Sequence, residues 1–213
     1  MQSLMKLINK FTGGLSAEVS AGADASGNLL VTQGNPSYAE IRRRGDAWTV
    51  QTATALTPLV AVPTTTAALE VYNNGTRAIV VSDLFAEQIL ATAAVQAYAI
   101  YAMISTQKAV PTLTALVLNS LSGKALITPT ATSEVVTGVG TTVVANGWHP
   151  YGNPANFGLA AATPGNAWSA DISGKLIVWP GTSLCLHIVG SLATASTFQV
   201  GCVFDMVTMS MEP

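Results

Sequence analysis

The chain has 213 residues, of which 49% are hydrophobic and only 9% charged, and its formal net charge is −2. This balance gives the whole chain no electrostatic preference for nucleic acid or for an anionic membrane. No apolar run reaches the roughly 20 residues that a membrane-spanning helix requires, because Glu87, Gln88, Gln96 and Asn119 interrupt the longest candidates. A surface so poor in charge would be adhesive, and we therefore expect other subunits to cover much of it.

Residues 1–45 differ from the rest of the chain and predict an N-terminal arm. Ser16–Gly27 consists mainly of Ala, Gly and Ser, which predicts an extended or flexible stretch, and short strands are expected at Leu29–Thr32 and Tyr38–Arg44. Two interpretations of these residues are possible: a frayed terminus, or an arm that becomes ordered when it binds a partner. The arm begins with a predicted short helix whose apolar face would dock on the partner, formed by Leu4, Leu7, Ile8 and Phe11.

The only run of charge lies at the end of this arm. It consists of Arg42, Arg43 and Arg44, and a nucleic-acid face would need several more cations. A salt bridge between these arginines and an Asp or Glu of a neighbouring subunit is the favoured interpretation, and a solvated face is the alternative.

Residues 46–213 predict one β-sandwich domain. Trp48, Val50 and Thr52 alternate with more polar neighbours, and Asn73-Asn74-Gly75 is a strong hairpin signal. The segment from Ser82 to Thr92 fits a helix by composition, but its β-branched flanks favour a strand. Both faces of Ala97–Ile104 are apolar, as in a strand that is covered on two sides.

The middle of the chain is richer in proline and predicts short strands between turns, at Leu113–Leu118, Ser133–Val136 and Thr141–Ala145. A loop then follows from Asn146 to Phe157. Three roles are open for its side chains: burial over the end of the sandwich, a protein interface, or a platform for sugars. The recognition residues in the last two cases would be Trp148, His149, Tyr151 and Phe157.

The C-terminal part gives the clearest strands. Lys175–Trp179 is followed by the turn Pro180-Gly181, and the last strand has one apolar face, formed by Phe198, Val200, Cys202, Phe204 and Met206. By the same alternation Cys185 lies opposite its apolar neighbours, so two buried free thiols are favoured over a disulfide. Many short strands with Pro, Gly and Asn turns predict an all-β, antiparallel sandwich of the jelly-roll type.

No motif for catalysis or metal binding occurs in the chain. It lacks the spacings of zinc sites, calcium loops and dinucleotide loops. Cys185 and His187 share one strand face, but about 6.5–7 Å separates residues two apart on a strand, which is too far for direct proton transfer. We therefore expect no catalytic residue, no metal and no cofactor, with a hydrolase as a remote alternative.

The segment Lys175–Gly190, with its strand, Pro-Gly turn and Thr-Ser-Leu-Cys-Leu strand, resembles virion jelly-roll proteins of tailed bacteriophages. Gly45–Val50 and Ala68–Asn74 are similar to parts of such proteins as well, and the resemblance spans about residues 28–208. It implies a decoration or cement protein of the capsid, or a component of a head or tail spike, often trimeric. The C-terminus lacks a long fibre, which disfavours a complete tail fibre.

The sequence therefore predicts a non-enzymatic virion structural protein that associates with itself, as a homotrimer, and with the major capsid protein or another virion protein. Its arm would dock on the particle or on neighbouring subunits, and neither nucleic acid nor membrane is an expected partner. The start of the chain does not read as a signal peptide, because Lys6 and Lys10 interrupt it, so the protein would be made in the host bacterial cytoplasm. The alternative is a carbohydrate-binding or receptor-recognition module of a spike.

Overall fold

A computed structural model describes residues 45–90, 96–106, 109–144, 147–157, 166–191 and 196–208, with side chains except at 153–157 and 166. These residues form ten strands and no helix, and the predicted arm helix lies outside them. The strands are β1 (Ala47–Gln51), β2 (Thr66–Asn73), β3 (Ala78–Leu90), β4 (Gln96–Ser105), β5 (Asn119–Ser120), β6 (Val135–Thr142), β7 (His149–Phe157), β8 (Asn166–Val178), β9 (Ser183–Gly190) and β10 (Thr197–Val207).

The strands build two antiparallel sheets of five strands each, which confirms the predicted all-β sandwich. Sheet 1 has the order β5-β1-β10-β3-β8, and sheet 2 has the order β6-β2-β9-β4-β7. Consecutive strands lie in different sheets at every step except from β6 to β7, so the chain crosses repeatedly between the two layers. The final strand β10 lies between β1 and β3 and pairs with both of them.

The core lies between the sheets and follows the predicted alternation. The apolar face of β10, from Phe198 to Met206, is buried as expected. Tyr98 and Trp168 both pack against Phe198, with ring centroids 4.5 and 5.6 Å from its own. Cys202 lies in this core, whereas Cys185 belongs to a second apolar cluster, and both thiols are free. The predicted strand parity and the absence of a disulfide between the two are therefore confirmed.

The predicted hairpin at Asn73-Asn74-Gly75 is wrong. The turn is present, but β2 and β3 lie in different sheets, so it forms a corner of the sandwich. The Asn73 side chain explains why: its Nδ2 donates to the carbonyls of Arg77 (2.7 Å) and Val178 (2.8 Å), and its Oδ1 accepts from the Gly75 N–H (3.1 Å). The side chain thus holds the corner in place of the cross-strand bonds of a hairpin.

The segment between β4 and β7 adds one strand to each sheet, because β5 pairs with β1 and β6 pairs with β2. The strand predicted at Leu113–Leu118 is absent apart from a single bridge between Leu118 and Ile127. The segment from Ser82 onward is a strand, as preferred over a helix, and it ends at Leu90. Because β5 and β6 enlarge the two sheets at their β1 and β2 edges, this segment is called the insertion below.

Candidate interaction surface

The insertion carries a concentration of exposed aliphatic side chains. Leu118 and Ile127 exchange two backbone hydrogen bonds, of 2.8 and 3.0 Å, and so close a short hairpin between them. Residues 117–127 form this inserted hairpin. Seven of the twelve large hydrophobic side chains exposed in the described part of the chain lie in the insertion: Val110, Leu113, Val117, Leu121, Leu126, Ile127 and Val144.

The inserted hairpin is fixed to the sandwich by its inward-facing residues. Leu116 is 4% exposed and Leu118 is 2% exposed, whereas Val117 between them is 40% exposed. The Leu121 N–H also donates to the Ala47 carbonyl at 3.0 Å. The exposed aliphatic side chains therefore lie on an anchored surface and not on a free loop.

This surface is almost without charge. Residues 109–133 contain one charged residue, Lys124, whose Nζ lies 3.8 Å from Asp46 Oδ1. Asp46 also pairs with Arg77 at 3.0 Å, and Arg77 pairs with Glu134 at 2.6 Å. The charges near the hairpin thus contact one another, and the rest of the surface offers apolar and neutral polar groups.

The segment predicted as an aromatic recognition loop is mainly the edge strand β7, which corrects the loop prediction. Prolines suggested a loop, but an edge strand tolerates proline because one side of its backbone needs no ladder bond. Trp148 is 9% exposed, and its indole N–H donates to the Thr64 carbonyl at 2.9 Å. Its ring packs in the second cluster, with Ala67, Met103, Val143 and Cys185.

The other three residues of that prediction do not join Trp148 in one stacking surface. Tyr151 is half-buried and packs against the main core, and burial raises the pKa of its hydroxyl. His149 is exposed, and the side chain of Phe157 lies outside the described side chains. Two of the four rings thus pack in two different clusters, so Trp148 and Tyr151 do not form a joint platform for a sugar.

A polar group is buried on the face of sheet 2 that points away from the main core. Ser183 Oγ donates to Glu70 Oε1 at 2.6 Å, and the other carboxylate oxygen of Glu70 has no hydrogen-bond partner among the described residues. Cys185 lies opposite Glu70 in the ladder. Burial, and secondly the charge of Glu70, raise the pKa of the Cys185 thiol. Serine, glutamate and cysteine are all fully buried, so no substrate reaches them from solvent in this structure.

His187 lies on the same face but is also a buried structural residue. It is 7% exposed, and its Nδ1–H donates to the Ile188 carbonyl at 2.9 Å. Burial lowers the pKa of His187, against the effect of this hydrogen bond. A thiol with a raised pKa is a poor nucleophile, so this geometry gives no support to a Cys-His pair.

The predicted arm residues lie outside the described part of the chain. This applies to the apolar face of Leu4, Leu7, Ile8 and Phe11 and to the arginines Arg42, Arg43 and Arg44. Within the described residues, no group of three or more His, Cys, Asp or Glu side chains is placed to hold a metal ion. No helix in this part of the chain is long and apolar enough to span a membrane.

The sequence analysis did not identify the exposed aliphatic side chains of the inserted hairpin as a feature of the described residues. The signal was present as a long stretch that is rich in Leu and Val and holds a single charge. Comparisons of the chain with protein-family models, with curated proteins and with solved structures found no match.

Proposed function

We propose that this protein is a non-enzymatic structural component of a virus particle, a decoration or cement protein that stabilises the particle by associating with itself and with a capsid protein. The observation that carries the proposal is the anchored, nearly uncharged aliphatic surface of the inserted hairpin. A monomeric soluble protein seldom exposes so many large aliphatic side chains in one segment unless a partner covers them. The resemblance of the sequence to virion proteins of tailed bacteriophages indicates which kind of particle the protein would stabilise.

We further propose that the sandwich is a jelly roll. Without β5 and β6, the sheet orders reduce to β1-β10-β3-β8 and β2-β9-β4-β7. Eight strands that cross between two four-stranded sheets, with the last strand beside the first, are the arrangement of a jelly roll. In this interpretation β5 and β6 belong to an insertion between the fourth and fifth framework strands.

The mechanism of stabilisation is burial of apolar surface between subunits. Each Å² of apolar surface removed from water contributes about 25 cal/mol before the costs of association. Leu126 is 59% exposed and Leu121 is 46% exposed, so both have much surface left to bury. The hairpin is already fixed to sheet 1, and little conformational entropy is lost when a partner covers it.

Light scattering and particle binding test this proposal together. The purified full-length chain is expected to form a trimer at micromolar concentration and to co-sediment with heads of the phage that encodes it. The double variant Leu121→Glu/Leu126→Glu is expected to be monomeric and to bind the heads at least tenfold less. Circular dichroism of the variant checks that the sandwich remains folded.

The matched control is Val60→Glu/Val62→Glu, which places the same charges on equally exposed aliphatic residues between β1 and β2. The control is expected to retain both trimer and binding. A wild-type monomer that does not bind heads would overturn the proposal. Equal losses in both double variants would show that the inserted hairpin is not the specific surface.

A further inference from the structure

Within the insertion, a groove runs between residues 110–114 and the edge strand β6. Its volume is about 460 Å³, and it is lined by Val110, Pro111, Thr112 and Thr114 on one side and by residues 139–142 on the other. None of these residues is charged. The groove is reached from solvent, since Thr112, Thr114, Gly140 and Thr142 are exposed.

Thr114 contacts the edge of β6 at Thr137, and Pro111 and Thr112 pass close to Gly138 of the same strand. The Thr114 N–H donates to the Thr137 carbonyl at 2.8 Å, and the Thr137 hydroxyl donates back to the Thr114 carbonyl at 2.6 Å. Thr137 therefore directs its backbone carbonyl away from β2. Residues two apart on a strand direct their backbone groups to the same side, so Val139 presents its N–H and C=O to the groove.

A buried hydroxyl adds a second polar group in the wall of the groove. Thr141 is 8% exposed, and its Oγ1 has no hydrogen-bond partner among the described residues. A buried hydroxyl without a partner is costly. The groove thus combines the open edge at Val139, a hydroxyl without a partner and exposed aliphatic surface at Val110. Gly140, with a φ of 63°, ends the regular strand geometry after Val139.

These features suit an extended peptide with small, uncharged side chains that adds to the edge of β6. A segment of this chain outside the described residues has the matching pattern. From Ala17 to Asp24, the small apolar residues Ala17, Val19, Ala21 and Ala23 alternate with Glu18, Ser20, Gly22 and Asp24. Such an alternation is typical of a strand with one face covered and one face in water.

We propose that the groove binds the segment Ala17–Asp24 of a second copy of the chain as an added strand. The inference rests on the proposed self-association and names the place where the arm docks. The small side chains allow the arm backbone to approach Val139, and its apolar face covers Val110. The acidic side chains Glu18 and Asp24 remain on the solvent side, where the uncharged groove offers them no partner.

Cross-linking between full-length chains tests this inference. One chain carries Ala21→Cys in the arm, and a second chain with a different affinity tag carries Thr112→Cys in the groove. The two are mixed and oxidised with copper phenanthroline, and disulfide-linked heterodimers are measured on a non-reducing gel. The native thiols provide a low background, since Cys185 and Cys202 are both buried, and the untouched wild-type chain measures it.

The matched control replaces Thr112→Cys by Ser122→Cys, an exposed position in the inserted hairpin and outside the groove. We expect at least tenfold more heterodimer with Thr112→Cys than with Ser122→Cys. Equal yields from both positions would overturn the inference. It would also be overturned if only intrachain disulfides form in the double variant Ala21→Cys/Thr112→Cys.

Light scattering of the same wild-type preparation separates this inference from the proposed function. If the wild type is a trimer but the Thr112→Cys cross-link does not form, self-association stands as proposed. In that case the arm does not dock in the groove. A monomer that does not bind heads overturns the proposed function as well.

Discussion

The side-chain amide of Asn73 donates a hydrogen bond of 2.8 Å to the backbone carbonyl of Val178, and this bond joins the end of β2 in sheet 2 to the end of β8 in sheet 1. The backbone of Asn73 makes two further bonds, to Gly181 (2.8 Å) and Thr182 (3.0 Å), in the turn that leads to β9. One residue therefore links two crossings of the sandwich that lie more than 100 positions apart in sequence.

Replacing Asn73 by alanine should strongly destabilise the fold. Asn73→Ala removes two hydrogen bonds to backbone carbonyls, and a buried polar group left without a partner costs about 1–3 kcal/mol. We expect the free energy of unfolding in urea to fall by about 2–4 kcal/mol. The control Asn74→Ala removes an exposed bond of 3.1 Å to Ser133 and should cost under about 1 kcal/mol; similar losses for the two variants would contradict the linking role of Asn73.

The ion pairs around Arg77 should contribute modestly to stability. Burial alone would lower the pKa of the Arg77 guanidinium, but its hydrogen bonds to Glu134 and Asp46 outweigh that effect and raise it. These side chains are partly exposed, so Arg77→Gln should lower the free energy of unfolding by about 1 kcal/mol, and less in 1 M salt. Lys124→Gln removes only a 3.8 Å contact and should have no measurable effect. A loss that is the same in low and high salt would argue against an ionic contribution.

Stability should fall in mild acid because of His187. Burial lowers the pKa of His187 below 6.5, its ordinary value. Between the lowered and the ordinary pKa, the unfolded chain binds a proton that the folded chain does not, so the free energy of unfolding decreases as the pH falls below the ordinary pKa toward the lowered one. His187→Gln should flatten this part of the urea-midpoint profile, whereas the exposed His149→Gln should retain it. If the urea midpoint of His187→Gln depends on pH as strongly as that of the wild type, other groups cause the loss of stability in acid.

Neutralising Glu70 should stabilise the protein at pH 7. Its carboxylate is fully buried, and only one of its oxygens has a hydrogen-bond partner, Ser183, among the described residues. Glu70→Gln retains an acceptor for Ser183 and removes a charge that is costly to bury, so we expect the urea midpoint to rise by the equivalent of about 1 kcal/mol or more. Glu134→Gln, at an exposed position, should lower it slightly through loss of the Arg77 pair. A lower midpoint in Glu70→Gln would show that the charge itself is stabilising.

The strands with a strong alternation of apolar and polar residues were predictable from the sequence, because that alternation depends only on neighbouring positions along the chain. In β10, Phe198, Val200 and Cys202 recur with a period of two, and this period alone decides which side chains enter the core. The inward position of Cys202 and the outward position of Cys185 followed from the same rule. Such patterns require no knowledge of which strand lies beside which.

Partners across the sandwich were not predictable in this way. Asn73-Asn74-Gly75 has the same turn chemistry in a hairpin and in a corner between sheets, and the bond from Asn73 to Val178 that decides between them spans 105 positions. The sequence likewise did not show which side chains of the insertion are exposed to solvent. Leu116, Val117 and Leu118 are alike in hydrophobicity, yet only Val117 is left exposed by the way the segment packs.

The two ends of the insertion meet at one place, since Ala102 of β4 pairs directly with His149 of β7. Within each sheet the eight framework strands pair with one another, and β5 and β6 of the insertion pair with the outer edges of β1 and β2. Leu116 and Leu118 of this segment pack in the main core, whereas exposed residues such as Leu121 and Leu126 can be changed without touching the pairing of β4 with β7. In the proposed function, the eight framework strands set the shape of the domain, and the exposed side chains of the insertion supply its contacts with partners.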